Sequence, residues 1–310
     1  MELEKLKNIL KTKKEFADLD AWKFDKIHLG SIGKHTHILS KGGKSYFIKD
    51  IKENEANALQ VVGTINLESI IRVSYPDLLE KKVLVAEYVH GKPIKTKKLS
   101  VQLIRDFTEM QNRLNHRTYW KRNHLSGNKF SDKDDGFFKK GYASYFISGY
   151  KNIIKLRTLI DHPIINKYIQ LVHYLKRDKT RIINDASGMP FAWQHHDFRE
   201  DNIIQSKRRQ IIVDWGSSYG YGPFMFDLAP FLLRNKRTLD NYIKNSDICK
   251  TYKRRQVERW VYVAAAIRLM AALNYYFENI EEKVKNKEKT INFLEYEYDT
   301  YKILLIKSST

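Results

Sequence analysis

The chain has 310 residues, 42% apolar and 13% aromatic, the composition of a folded protein with a sizeable core and not of a disordered one. Fifty-six Lys and Arg face 36 Asp and Glu, a net charge of +20. Such an excess suits a polyanionic partner, but no five basic residues run together and the lysines scatter from Lys5 to Lys307, as on solvated faces. A lone cysteine, Cys249, excludes an intrachain disulfide. The N-terminal text lacks the apolar centre of a signal peptide, and the longest apolar stretch, residues 260–273, is short for a membrane span and interrupted by Arg268. A cytoplasmic protein without a membrane span is expected, and nucleic acid is not among its expected partners.

In chain order, residues up to Asp18 carry Leu3, Leu6, Ile9 and Leu10 at helical spacing. Phe24 to Ile51 reads as two or three antiparallel strands, with a tight turn at Lys41-Gly42-Gly43-Lys44. ENEANALQVVG predicts a short helix ended by Gly63 that buries Leu59 and Val62. SIIRVSYPD and KKVLVAEYV read as a further strand pair, the second apolar enough for a sheet interior. Beyond His90-Gly91-Lys92-Pro93 the texture turns helical. Ser100 is placed to cap a helix carrying Ile104, Phe107, Met110 and Leu114. Residues 117–140 are polar and aperiodic, a loop or insertion. Helices are expected over Tyr145–Ile160 and Ile164–Leu175, and again from Met225 to the C-terminus.

The chemistry concentrates in HHDFREDNII, residues 195–204, and the IVDWG that follows. Asp197, then Asn202 five positions on, then Asp214 after an apolar strand is a spacing that phosphoryl transfer from ATP can use. Asp197 would orient the acceptor hydroxyl and take its proton. Asn202 and Asp214 offer the hard oxygen donors that magnesium accepts beside phosphates. Arg199 either steadies charge on the transferred group or pairs with Glu200 or Asp201; the residues leave both open.

This segment resembles the catalytic segment of the aminoglycoside phosphotransferase and choline kinase-like superfamily, which usually reads H-G-D-x-x-x-x-N followed by I-D-W or I-D-F. His196 stands where Gly is common. GYGPFMFDLAPFL resembles the downstream G-x-P-x-x-D-L-A element, with Asp227 in the aspartate slot and one extra residue after Pro223. The resemblance implies an α+β, bilobal protein-kinase-like fold: a small antiparallel-sheet N-lobe over residues 1–89 and a larger, mainly helical C-lobe over residues 90–310. It implies that Gly30, Ser31 and Gly33 approach the phosphates, and that Lys49 pairs with them and with Glu55, Glu53 being the competing acid. LVAEYVHGKPI resembles the family's hinge, with Glu87 and Val89 offering backbone groups to adenine. His195 is read as a brace of the loop, and Asp227 as a brace or a cap of the helix near Leu228.

The implied activity is ATP- and Mg2+-dependent phosphorylation of a hydroxyl on a small molecule such as an antibiotic, an amino alcohol or a sugar. The alternative is a kinase for a macromolecular or anionic acceptor (glycan, lipid or protein), suggested by the charge. A nucleotide-binding scaffold without catalysis has no need of all three of Asp197, Asn202 and Asp214. A cationic substrate would call for acids such as Glu278–Glu282 or Glu295–Asp299, which equally suit solvated helix faces. Tyr219, Tyr221, Tyr275, Tyr276 and Phe277 suit a sugar or quaternary-amine pocket or simple packing. The oligomeric state has no signature in the sequence.

Overall fold

The computed structural model describes residues 3–26, 36–63, 65–96, 98–114, 135–207, 209–218 and 220–306. These divide into two compact units, residues 1–110 with 194–220, and residues 111–193 with 221–310.

The first unit is built on an antiparallel sheet in sequential order, β1 (Lys23–Lys26), β2 (Thr36–Lys41), β3 (Lys44–Asp50) and β4 (Val83–Glu87). Gly42 and Gly43 join β2 to β3 with φ of 56° and 81°, the left-handed pair that a two-residue hairpin turn demands. The period of two along β3 sorts its side chains. Ile48 and Tyr46 face a cluster containing Leu39, Val83 and Val85, sealed from outside by Leu6, Leu10, Phe16, Leu19 and Trp22 of the N-terminal segment. That segment consists of helix α1 (Leu3–Lys11) and two short 3-10 turns. Lys49, one residue out of phase with Ile48, therefore projects from the opposite face.

Helix α2 (Glu53–Val62) follows β3, and its buried stripe includes Glu55, Leu59 and Val62 at helical spacing. The expected strand at SIIRVSYPD is not formed. Ile70 makes an isolated bridge to Ile212 and Val73 another to Ala86, and Pro76–Leu79 is a 3-10 turn. Pro76 has no N–H for a ladder, and the segment splits its pairing between two strands instead of following one. A second sheet has the order β5 (Lys92–Pro93), β7 (Ile203–Gln205), β8 (Gln210–Ile212). Helix α3 (Val101–Arg113) is capped as expected, its Leu103 N–H donating to Ser100 Oγ at 3.1 Å.

The second unit is mainly helical: α4 (Asp135–Leu159), α5 (Pro163–Arg177), α6 (Lys179–Ser187), α7 (Ala229–Arg234), α8 (Lys236–Asn245), α9 (Asp247–Lys250), α10 (Arg254–Tyr276), α11 (Ile280–Lys285), α12 (Lys287–Tyr301) and α13 (Ile303–Ile306). Strands β6 (Phe191–Gln194) and β9 (Gly220–Pro223) form a two-stranded ladder. Residues 135–140 belong to α4, not to the expected loop, whose remainder lies outside the described residues from 115 on.

The long apolar stretch is the central helix α10, which buries residues including Trp260, Ala264, Ala265, Ala266 and Met270. At Gly149 of α4 a Cβ would come within 2.8 Å of the Met270 carbonyl, so only glycine lets the two helices approach this closely. Arg268 reaches the fully buried Asp227 at 3.7 Å, which accounts for a cation in the middle of an apolar helix. The position ahead of α7 is Leu228, whose side chain makes no cap bond. Among the described residues no helix is long and apolar enough to cross a membrane. Cys249 is buried, and burial pushes its thiol up to about 11.

Candidate active site

The site residues that the structure describes all lie in the first unit. Lys49 Nζ stands 2.9 Å from Glu55 Oε1 and 2.8 Å from Asp214 Oδ1. Of the two acids weighed for Lys49, Glu55 is the one in contact, while Glu53 lies 3.7 Å from Lys82. The reason is helical phase: Glu55 shares the buried stripe of α2, whereas Glu53 points to solvent.

Burial sets the electrostatics of this trio. It pulls the Lys49 ammonium down, but the carboxylates of Glu55 and Asp214 outweigh it and hold Lys49 above its ordinary value. Glu55 is held above the usual carboxylate range because its burial exceeds what Lys49 returns. Asp214 would also be raised by burial, yet the charge and hydrogen bond of Lys49, with smaller help from His195 and Arg199, keep it below the usual range.

The catalytic-loop text forms a turn and a tight ladder. Residues Glu200–Asn202 make one 3-10 turn, and β7 pairs with β8 in the register Ile203↔Ile212. The Val213 N–H donates to the Asn202 carbonyl at 2.9 Å, extending that ladder by one step. Asn202 and Asp214 thus arrive at the same end of one hairpin. The Asn202 side-chain NH2 donates to the Asp197 carbonyl at 2.8 Å and to Asp197 Oδ2 at 2.9 Å. Both amide hydrogens are committed, so the amide oxygen is the group left to face a cation.

Arg199 is half-exposed. Its Nε lies 3.4 Å from Asp197 Oδ2 and its guanidinium 3.9 Å from Asp201, so it touches the acid of the motif as well as a flanking acid. His195 is fully buried with Nε2 at 2.9 Å from the Val213 carbonyl, which requires that nitrogen to carry the proton. Its ring lies 4.6 Å from that of the buried Trp215. It ties the start of the loop to the chain just after β8.

His196 has φ of 65° and Asp214 φ of 59°. The slot where the family commonly has glycine is therefore a left-handed position here, occupied by a residue type that tolerates it better than most. His196→Val should cost about 2 kcal/mol through β-branched strain, whereas His196→Gly should stay within about 1 kcal/mol of the parent. Denaturant midpoints of the two variants check this, and equal losses would count against a backbone origin.

In the hinge text, Glu87 closes β4. Its N–H points to the Arg72 carbonyl at 3.4 Å, and its side chain lies 3.5 Å from Arg209. Among the described residues no hydrogen bond takes up the Val89 N–H. Gly91 has a physical reason for its place in that text: a Cβ there would lie 2.4 Å from the Gln205 carbonyl and 2.7 Å from Ile204 Cγ2. Gly91→Ala should force β5 off β7 and cost about 1–3 kcal/mol, read as a lowered denaturant midpoint. An unchanged midpoint would mean the chain gives way freely there. Gly30, Ser31 and Gly33 lie outside the described residues.

Among the described residues no group of three or more His, Cys, Asp and Glu forms a metal cage. The donor set instead offers one carboxylate and one amide oxygen, a partial shell of the kind magnesium completes with phosphate oxygens and water. Sequence reasoning passed over Asn54, whose side-chain amide donates to the Gly216 carbonyl beside this trio. Its only signal was its position next to Glu55.

A family model described as the phosphotransferase enzyme family matches residues 169–261. Among solved structures, a choline kinase from Cryptosporidium parvum is similar at 11% identity, covering 99% of this chain and 97% of its own, with a TM-score of 0.59. A spectinomycin phosphotransferase, solved with ADP and spectinomycin, covers 100% of this chain and 99% of its own at 12% identity, with a TM-score of 0.58. A choline/ethanolamine kinase family protein from Mesorhizobium loti covers 100% and 96% at 15% identity, with a TM-score of 0.54. No curated protein matches the sequence. The fold is thus the protein-kinase-like fold of small-molecule phosphotransferases. In fold the chain is similar to the choline kinase and the spectinomycin phosphotransferase named above, and over residues 169–261 its sequence matches the phosphotransferase enzyme family.

Proposed function

We propose that this chain is a cytoplasmic, ATP-dependent phosphotransferase that moves the γ-phosphate to a hydroxyl group of a small molecule. The observation that carries the reading is the meeting of Lys49 with both Glu55 and Asp214, next to a hairpin that holds Asp197 against Asn202. A scaffold would have no use for three ionised groups gathered at such desolvation cost.

In this reading residues 1–89 form the nucleotide lobe and residues 90–310 the catalytic and substrate lobe. Lys49, oriented by Glu55, binds the α- and β-phosphates, and Gly30, Ser31 and Gly33 supply backbone N–H groups. Glu87 and Val89 receive the adenine, the Val89 N–H serving as its free donor. Asp197 accepts the proton of the acceptor hydroxyl as that oxygen bonds to the γ-phosphorus and the bond to the β-phosphate oxygen breaks. Arg199 neutralises charge at the same carboxylate and on the transferred group. Asn202 and Asp214 would hold magnesium, which spreads the negative charge of the phosphates.

The neighbours named above are kinases of small molecules, which favours that acceptor class. Within it, a strongly cationic substrate gains no support from the two acid-rich segments. Glu278, Glu281, Glu282 and Glu295 are exposed, and Asp299 pairs with Lys302 at 2.8 Å. Tyr276 stacks on Phe293 at 3.8 Å, so packing already employs that ring, while the exposed Tyr275 shares a hydrogen bond with Tyr145. A second reading, an anionic or macromolecular acceptor, draws on the excess positive charge, most of which falls in the second unit.

The test is magnesium-dependent ADP release against aminoglycosides, choline, ethanolamine, neutral and phosphorylated sugars, and an anionic polysaccharide. Turnover with a small alcohol that stops on chelation is expected. Turnover only with the polysaccharide would transfer the assignment to the second reading, and absence of any Mg·ATP binding would overturn both.

A further inference from the structure

Asn54 opens a second link between helix α2 and the turn that carries Asp214. It precedes Glu55 in the first turn of α2, and its side-chain amide donates to the Gly216 carbonyl. Gly216 itself stands where two carboxylates meet: a Cβ built on it would lie 3.4 Å from Glu55 Oε2 and 3.5 Å from Asp214 Oδ1. The turn Trp215–Ser217 is therefore tied to α2 twice, once through the charges shared at Lys49 and once through a neutral amide.

The two ties differ in what a ligand does to them. Phosphates that recruit Lys49 and a cation that recruits Asp214 compete directly with the ionic tie. The amide tie uses no group that such ligands need, so it persists when Lys49 turns away. Asp214 also needs outside support, because its φ of 59° is unfavourable for a residue with a Cβ and holds only where neighbours over-determine it. Trp215 is locked on one side by burial beside His195. Fixing the Gly216 carbonyl locks the other.

We propose that Asn54 is a positioning residue that holds the Asp214-Trp215-Gly216 turn on helix α2, so that Asp214 presents its carboxylate to magnesium independently of Lys49. The metal part of this inference rests on reading Asp214 as the magnesium ligand.

The experiment uses the full chain with Asn54→Leu, which keeps about the same size and favours the helix but removes the donor; Asn54→Ala, which is safe in a helix; and Asn54→Gln, which keeps an amide. Without ligands, amide exchange of residues 214–218 should quicken about tenfold in the Leu and Ala variants and be partly restored in Gln, while β2 and β3 stay protected. With ATP present, the apparent magnesium affinity should weaken about tenfold, whereas ATP affinity in chelator should hold within about twofold. Unchanged exchange at 214–218 in the folded Leu and Ala variants overturns the proposal. So does an equal loss of metal-free ATP affinity, which would make Asn54 a general support of α2. If the parent chain binds no magnesium nucleotide, the phosphotransferase reading and the metal role fall together, and the exchange data still decide whether Asn54 holds the turn.

Discussion

Asp197→Asn should lower the turnover rate roughly 10²- to 10⁴-fold while leaving nucleotide affinity within about twofold of the parent. The geometry makes this substitution unusually clean. Asp197 Oδ2 accepts from the Asn202 amide at 2.9 Å, and an amide oxygen at position 197 can accept the same bond. The loop should therefore keep its shape, with stability changed by less than about 1 kcal/mol. What disappears is the negative charge that takes the acceptor proton, and with it the partner of Arg199 at 3.4 Å. Pre-steady-state phosphoryl transfer and nucleotide titrations on the same preparation separate the two effects. A rate within tenfold of the parent would remove Asp197 from the catalytic role.

Lys49→Met should act on chemistry and on stability, with different dependence on pH. Loss of one fixed cation on the phosphates should reduce kcat/KM roughly 10²- to 10³-fold. The stability effect comes from Glu55, whose side chain is only 5% exposed and which would lose the ammonium 2.9 Å away. Breaking such a pair costs on the order of 3 kcal/mol at pH 8, because a carboxylate is left buried without its counter-charge.

The sign with pH follows from the raised acid. In the parent, burial already holds Glu55 above the ordinary carboxylate value in the folded state. A group raised in the folded state contributes stability that is fully present below its unfolded value and is lost as pH climbs through the folded one. Removing Lys49 raises Glu55 further, so the variant should lose stability more steeply from pH 5 to pH 8. Lys49 itself, despite its burial, is raised above its ordinary value by Glu55 and Asp214, so its own contribution in the parent is intact over that range. The gap between parent and variant should widen toward pH 8 and narrow at pH 5. Denaturant melts at both values check it; a gap independent of pH would mean Glu55 is relieved in some other way.

Much of this protein is legible in its sequence because the relevant signals are local. The alternation in SYFIKDI gives β3 its two faces, and the Gly42-Gly43 pair dictates the hairpin. Ser100 caps α3, since a hydroxyl three residues ahead of Leu103 needs no distant partner. The pairing of Asn202 with Asp214 is likewise a local property of one hairpin, because a ladder in the register Ile203↔Ile212 brings its ends together by construction, and Asp197 joins them through the Asn202 amide. The choice of Glu55 over Glu53 came from the family resemblance, and helical phase is what separates the two in the structure.

Tertiary structure alone decided the rest. SIIRVSYPD has strand composition, but its Ile70 and Val73 pair with different strands, and no local pattern encodes that division. Arg268 and Asp227 are forty-one residues apart in the chain and find each other only inside the second unit. Gly91 reads as an ordinary hinge glycine until the Gln205 carbonyl is seen 2.4 Å from where its Cβ would stand. Lys49 and Asp214, separated by 165 positions, share one hydrogen bond whose partners only folding could select. Local propensity and periodicity act through a few neighbouring residues, so they write elements and motifs into the sequence. Which carboxylate meets which cation depends on burial and on contacts that close long loops, and those exist only once the core has formed.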